Sequence, residues 1–398
     1  MIKIFLDKEK IADLKQDDKT YLLDYNSMEI EKSISLSLPN SKKFYTWEHR
    51  FPPYFETFLP EGYLYEIFKD ILTKEYGYVD EYLLFSLLAP NLQGRMSFKT
   101  DFSHLVFEAI DIDEILNNDT PDTFNKLLHT FLDKNAISGV QPKTIALVKD
   151  KESLRTKEYI VKTWGDEFPY LAENEYFCLE ALKKADIKTA NAQLSKNKKF
   201  LLVENFIFVD NEVLGFEEIL SLMDKNKINK YQGSYEQVSK IILQFSTNKT
   251  DSLLQFYKTV VMSYLLKNGD AHLKNFGLLF SENFSSIEFS PAYDVVTTTA
   301  YIFKDKPALT LDGKKIWPSK ETLLNFGRKY CLLSKKDVLK AYEQCLDSLI
   351  ESMDDLQRYI ALNPHFEQIG NRMYESWSLS LSGNSLKEIS DDTIRNWK

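Results

Sequence analysis

The chain opens on short alternating stretches. "MIKIFL" (1–6) and "SISLSL" (33–38) place apolar and polar residues in turn, the two-residue period of edge or half-buried strands. "RFPPYFETFLPEGY" (50–63) is rich in prolines and aromatics and reads as a packed turn region. "YLYEIFKDILTKEYG" (63–77) repeats apolar residues at helical steps and closes on a glycine suited to a helix C-cap. "VDEYLLFSLLAPN" (79–91) predicts a second helix, with an Asp near its start and a Pro beyond its end. "LQGRMSFK" (92–99) reads as a strand. Residues 1–107 therefore read as a small N-terminal α+β subdomain.

The acidic, polar stretch "EAIDIDEILNNDTPDTF" (108–124) is the best candidate boundary. Beyond it "SGVQPKTIALVKD" (138–150) and "EYIVKTW" (158–164) predict two strands around a turn rich in Lys and Glu. "AENEYFCLEALKKADI" (172–187) predicts an amphipathic helix, and the continuous apolar run "KFLLVENFIF" (199–208) a buried strand. The order strand, strand, helix, strand marks 125–235 as one unit. From 236 to 398 the pattern is helical, in "DSLLQFYKTVVMSYLLKNG" (251–269) and "SKKDVLKAYEQCLDSLIESMDDLQRYI" (334–360) above all. The fold class is α+β, with no internal repeat.

Composition narrows the function. The 27 Phe and 22 Tyr supply a sizeable core, and scarce Gly and Pro argue against long flexible linkers. A net charge of −9 argues against a chain that coats DNA by itself, because phosphate neutralisation dominates such binding. Cys178, Cys331 and Cys345 are odd in number and lack a CxxC pair, so neither a disulfide framework nor a zinc site is expected. The N-terminus lacks a signal-peptide core, and no run approaches a membrane span. A cytoplasmic location follows, with export by a specialised secretion machine as the alternative.

The chemistry concentrates in "LLKNGDAHLKNFGLLF" (265–280). Asp270 precedes Asn275 by five residues, and Asp294 in "SPAYDVVTTTAY" follows nineteen later. Phosphoryl transfer needs a carboxylate that takes the proton of the attacking hydroxyl, and oxygen ligands that hold Mg²⁺ on the phosphates. Asp270 fits the first need, and Asn275 with Asp294 the second. Protein kinases use the same Asp-to-Asn interval. Lys162, mid-strand among Ile160, Val161 and Trp164, suits a point charge for ATP phosphates. The Ser-Gly turn of "AISGVQPKT" offers backbone amides to cover them. Glu175 on the following helix is the expected partner of Lys162, with Glu173 as a rival. Each feature alone has a plain structural reading: Lys162 as a snorkelling edge residue, "SGVQPK" as a hairpin turn, His272 as a core histidine, Asp294 as a strand end. Their joint occurrence in this order carries the chemistry.

These blocks resemble the HipA-type serine/threonine kinases, the toxins of bacterial toxin–antitoxin pairs. "NGDAHLKNFGLL" with "PAYDVV" carries the resemblance most specifically. "SGVQPKTIAL", "YIVKTW", "ENEYFCLEALKKA", "LLVENF", "FETFLPEG" and "LTLDGKKIWPSKETLLNFGR" follow the family's order over nearly the whole chain. The resemblance implies a two-lobed protein-kinase-like fold: an N-terminal subdomain (1–107), a nucleotide-binding lobe (125–235) and a helical catalytic lobe (236–398). It implies Asp270 as catalytic base, and Asn275 and Asp294 as Mg²⁺ ligands. Lys162 would hold the ATP phosphates and the loop Ser138, Gly139, Val140, Gln141, Pro142 and Lys143 would cover them. Glu204, Asn205 and Phe206 would meet adenine, and His272, Lys274 and Tyr293 would line the nucleotide pocket. Family members phosphorylate a serine of this loop themselves. Ala136 stands where many carry it, which leaves Ser138 as the candidate self-modified residue. The implied partners are a protein substrate, with aminoacyl-tRNA synthetases as the family's targets, and a helix-turn-helix antitoxin through which DNA is reached indirectly; no membrane partner is expected. Two rivals remain: a kinase-like co-repressor scaffold that binds the antitoxin, and a small-molecule phosphotransferase.

Overall fold

The computed structural model describes residues 1–59, 76–92, 94–102, 112–120, 143–149, 156–165, 167–209 and 212–382, with isolated positions at 65, 69, 72, 73 and 123; for 143–149 and 156–158 it describes the backbone alone. The chain divides into two compact units, 1–165 with 193–229 and 279–287, and 166–192 with 230–278 and 288–398.

The two larger sheets of the molecule lie in the first unit. Strands β1 (Ile2–Leu6), β2 (Glu9–Asp17), β3 (Thr20–Tyr25), β4 (Phe44–Glu48) and β5 (Met96–Lys99) form an antiparallel sheet in the order β4-β3-β2-β1-β5. The alternation of the opening stretch does what its period predicts: Ile2, Ile4 and Leu6 are buried while Lys3 is exposed. They join a cluster with Tyr54, Phe55, Leu84, Phe85 and Phe98. Helix α1 (Glu81–Leu88) supplies Leu84 and Phe85, and the Asp80 side chain caps it by accepting from Leu83 N at 2.8 Å. Gly77 takes the positive φ of +79° that the C-cap expectation requires, and its N–H donates to Thr73 O at 2.9 Å.

The expected strand at 33–38 is not one. Ser33 and Ile34 through Leu38 are largely buried but run as irregular chain. Side chains replace ladder partners there: Asn40 N donates to Ser33 Oγ (2.8 Å), Ile34 N to Tyr25 Oη (2.9 Å) and Ser37 N to Glu217 Oε2 (3.1 Å). Serines that bond nearby backbone compete with a sheet, so the alternation here reflects burial on all sides.

The second sheet runs β6-β7-β9-β8, from β6 (Lys143–Lys149), β7 (Thr156–Thr163), β8 (Ala192–Leu194) and β9 (Phe200–Glu204). Helix α2 (Ile112–Asn117) covers one face, where Ile115 packs with Val161, Phe200 and Leu202. Asp119 ties it down by accepting from Ser195 Oγ, Asn197 N and Lys199 N at 2.5–3.1 Å. The run 199–208 is shorter than expected as a strand. It stops at Glu204 and turns at Asn205 and Phe206, where Phe208 N donates to Asn205 O at 3.3 Å.

The second unit is helical: α3 (Leu171–Lys184), α4 (Tyr235–Phe245), α5 (Lys249–Leu265), α6 (Lys320–Lys329), α7 (Lys335–Leu362) and α8 (Glu367–Ser382). Ser234, Asn248, Ser319 and Ser334 cap four of these helices with their side chains. Helix α5 is central, with Phe256, Tyr257, Val260, Val261 and Met262 wholly buried. Among the described residues no helix is long and apolar enough to cross a membrane.

Candidate active site

Helix α5 delivers the chain into the polar turn. Lys267 ends it with φ +57°, and Asn268 N reaches back to Ser263 O at 2.8 Å, closing the last carbonyls. Gly269 then passes between side chains where no Cβ fits: one built there lies 2.0 Å from Asp305 Oδ2 and 2.7 Å from Thr298 Oγ1. Thr298 Oγ1 accepts from Gly269 N (2.8 Å) and donates to Lys267 O (3.1 Å), so one hydroxyl fixes both sides of the glycine.

The next residues are tied to one another. Asp270 N bonds Asn268 Oδ1 at 3.0 Å, His272 N bonds Asp270 O at 2.7 Å and Asn275 N bonds His272 O at 2.9 Å. The Asn275 side-chain amide donates to Asp270 O at 2.9 Å and to Asp294 O at 3.4 Å. This nitrogen brings the three residues expected to act together into one place. Asp294 sits at φ +53°, a left-handed conformation uncommon outside glycine, on the chain that leads to Thr297. Tyr293 Oη donates to Lys274 O at 2.6 Å, and both residues, like buried His272, lie in this cluster.

The Asp270 side chain is partly exposed, with Oδ1 3.9 Å from His272 Nε2. Burial of its surroundings pushes its pKa up, with the charges of Asp294 and Asp305 in the same sense. The Tyr231 hydrogen bond and the Lys230 charge act against them. A carboxylate so balanced has raised basicity, which suits proton acceptance.

The loop after Asp294 is held by residues distant in sequence. Asn174 Oδ1 accepts from Thr297 N (2.8 Å), Asn174 Nδ2 donates to Thr297 O (3.1 Å), and Trp377 Nε1 donates to Thr297 Oγ1 (2.8 Å). The sequence reading passed over Asn174, Thr298, Asp305 and Tyr231. Asn174 and Thr298 lie inside quoted blocks without a role of their own there, and each of the four acts through a partner 29 or more positions away.

Lys162 is buried in β7 of the first unit at the register position of Lys143 on β6 and Leu201 on β9. Strand alternation sets it on the face opposite Val161 and its apolar cluster. In the second unit Glu173 and Glu175 are both buried near the start of α3. Glu173 Oε1 accepts from Tyr359 Oη at 2.9 Å and lies 2.9 Å from His365 Nε2. Glu204 closes β9, and Asn205 and Phe206 fall in the turn after it. Ser138, Gly139, Val140, Gln141 and Pro142 lie outside the described residues, and Lys143 begins β6.

The fold is that of a solved HipA protein. HipA of Shewanella oneidensis, determined in complex with HipB and operator DNA, superposes with a TM-score of 0.72 at 15% identity, over 98% of this chain and 99% of that one. Residues 2–99 match the HipA N-terminal domain, and residues 135–353 the HipA-like C-terminal domain. The chain belongs to the HipA-like family. A Haemophilus influenzae protein whose name proposes a kinase is 30% identical over 184 residues, 42% of this chain and 53% of that one, so the match spans about half of that relative. The Sinorhizobium fredii protein Y4dM, similarly named, is 24% identical over 367 residues, 83% of this chain and 85% of that one.

Proposed function

We propose that this protein is an ATP- and Mg²⁺-dependent serine/threonine protein kinase and the toxin of a toxin–antitoxin pair. The observation that carries the reading is the Asn275 amide bonded to the backbones of both Asp270 and Asp294, which gathers a proton acceptor and two oxygen-bearing side chains at one turn. With its nitrogen committed to carbonyls, Asn275 presents its amide oxygen, and Asp294 its carboxylate. Both are hard donors of the kind Mg²⁺ selects, and the ion would neutralise charge on the phosphates. Asp270 orients the substrate hydroxyl and takes its proton as the O–P bond forms. Lys162 balances phosphate charge from β7, and the 138–143 loop, with Ser138 as the self-modified residue, covers the nucleotide. As the family resemblance implies, Glu204, Asn205 and Phe206 would meet adenine, and His272, Lys274 and Tyr293 would line the nucleotide pocket. A helix-turn-helix antitoxin is the partner this reading assigns, since the Shewanella protein was determined with HipB and operator DNA.

The test is transfer of labelled γ-phosphate from Mg-ATP into protein in a cell extract. Asp270→Asn is expected to lower it about 10²–10⁴-fold, the usual worth of a positioned base, with the fold intact by circular dichroism. Label entering a metabolite instead of a protein band defeats the protein-kinase assignment. Growth arrest that survives Asp270→Asn favours the co-repressor scaffold.

A further inference from the structure

Tyr231 holds a position of interest beside the catalytic turn. Its hydroxyl donates to Asp270 Oδ1 at 2.7 Å. That is the bond a kinase base makes to the hydroxyl it activates. Other hydroxyls around the turn are directed elsewhere: Tyr235 Oη donates to Ala271 O, Tyr293 Oη to Lys274 O and Thr298 Oγ1 to Lys267 O. All three serve backbone carbonyls, whereas Tyr231 serves the carboxylate. Tyr231 is also 42% exposed, while Tyr235 is 1% exposed, so a nucleotide phosphate has access to the first and not to the second.

The placement is built rather than incidental. Lys230 O accepts from Leu273 N at 3.1 Å, which ties the chain just before Tyr231 to the turn. Lys315 Nζ lies 3.4 Å from Tyr231 O on the other side. The ring meets His272 edge-on at 5.2 Å between centroids, which aims the phenol at Oδ1.

We propose that Tyr231 occupies the phosphoacceptor position and is itself an intramolecular acceptor of the γ-phosphoryl group of ATP. The inference rests on the kinase reading above and adds a tyrosine to its acceptors. The phenol oxygen forms the new O–P bond, the bond between the γ-phosphorus and the β,γ-bridging oxygen breaks, ADP leaves, and the phenol proton passes to Asp270. The product adds about −1.5 to −2 charges next to the Asp270 carboxylate. Repulsion then drives the ring out of the acceptor position, where Lys230 and Lys315 stand to pair with it, and Asp270 is released to another hydroxyl.

Tandem mass spectrometry of the full chain after incubation with Mg-ATP tests this. Phosphate is expected on Tyr231, absent in Asp270→Asn, with a first-order rate unchanged on tenfold dilution. Tyr231→Phe is expected to lose that site alone. Phosphate on serine, threonine or an added protein, with none at Tyr231, overturns the proposal and leaves the kinase reading standing. A Tyr231 signal that scales with protein concentration overturns the intramolecular geometry. A chain that labels nothing and hydrolyses no ATP removes both.

Discussion

At the scale of single residues, Lys267 shows how the turn is stressed to hold its shape. Its side chain is buried against the Trp317 ring at 4.9 Å, and burial lowers its pKa from 10.5 to about 8. The unfolded chain therefore binds more protons than the folded one between pH 8 and 10.5, so stability from this group rises with pH across that window. Below pH 8 its full desolvation cost is present. Lys267→Met is expected to stabilise the protein at pH 7 by about 1–3 kcal/mol, a gain that shrinks above pH 8; urea denaturation at pH 7 and pH 10 reads both. The interval from Asp270 to Asn275 was legible in the sequence because both residues lie in one continuous turn. Tyr231 was not, since a tyrosine 39 residues upstream carries no mark of the carboxylate it will meet.

At the scale of elements, α3 positions the loop it never adjoins in sequence. Asn174, wholly buried, satisfies the N–H and C=O of Thr297, three residues beyond Asp294. Asn174→Ala leaves both groups buried without that partner and is expected to cost about 1–3 kcal/mol. It is also expected to raise the Mg²⁺ concentration needed for half-maximal nucleotide binding, because Asp294 loses its support. Chemical denaturation reads the first effect and titration calorimetry the second. Helical periodicity announced α3, α5 and α7; Ser334 caps α7 by accepting from Asp337 N at 3.1 Å, whereas Tyr170 before α3 offers no side-chain cap. The segment 33–38 defeated the same method. Its alternating serines face the Glu217 carboxylate and nearby backbone instead of water, and period alone does not say what lies on the polar side.

At the scale of the whole molecule, the chain divides into two compact units, and only an assembled second unit presents Asp270, Asn275 and Asp294 together. A ligand that binds only the folded state stabilises it by about 2.7 kcal/mol at one hundred times its Kd. Mg-ATP is therefore expected to raise the melting temperature of the wild type, and Asn275→Ala to abolish the Mg²⁺-dependent part; an equal shift in EDTA would contradict the assignment of Asn275. Periodicity and contiguous motifs are local, so the α+β class, the helical second half, the polar turn and the family were already written in the chain. Folding alone joins Asp270 to Asp294 through one amide, sets Asn174 on the Thr297 loop and seats a phenol on the carboxylate. Those are contacts between residues far apart along the chain, and burial against distant elements, not adjacent residue types, sets their geometry and their charge.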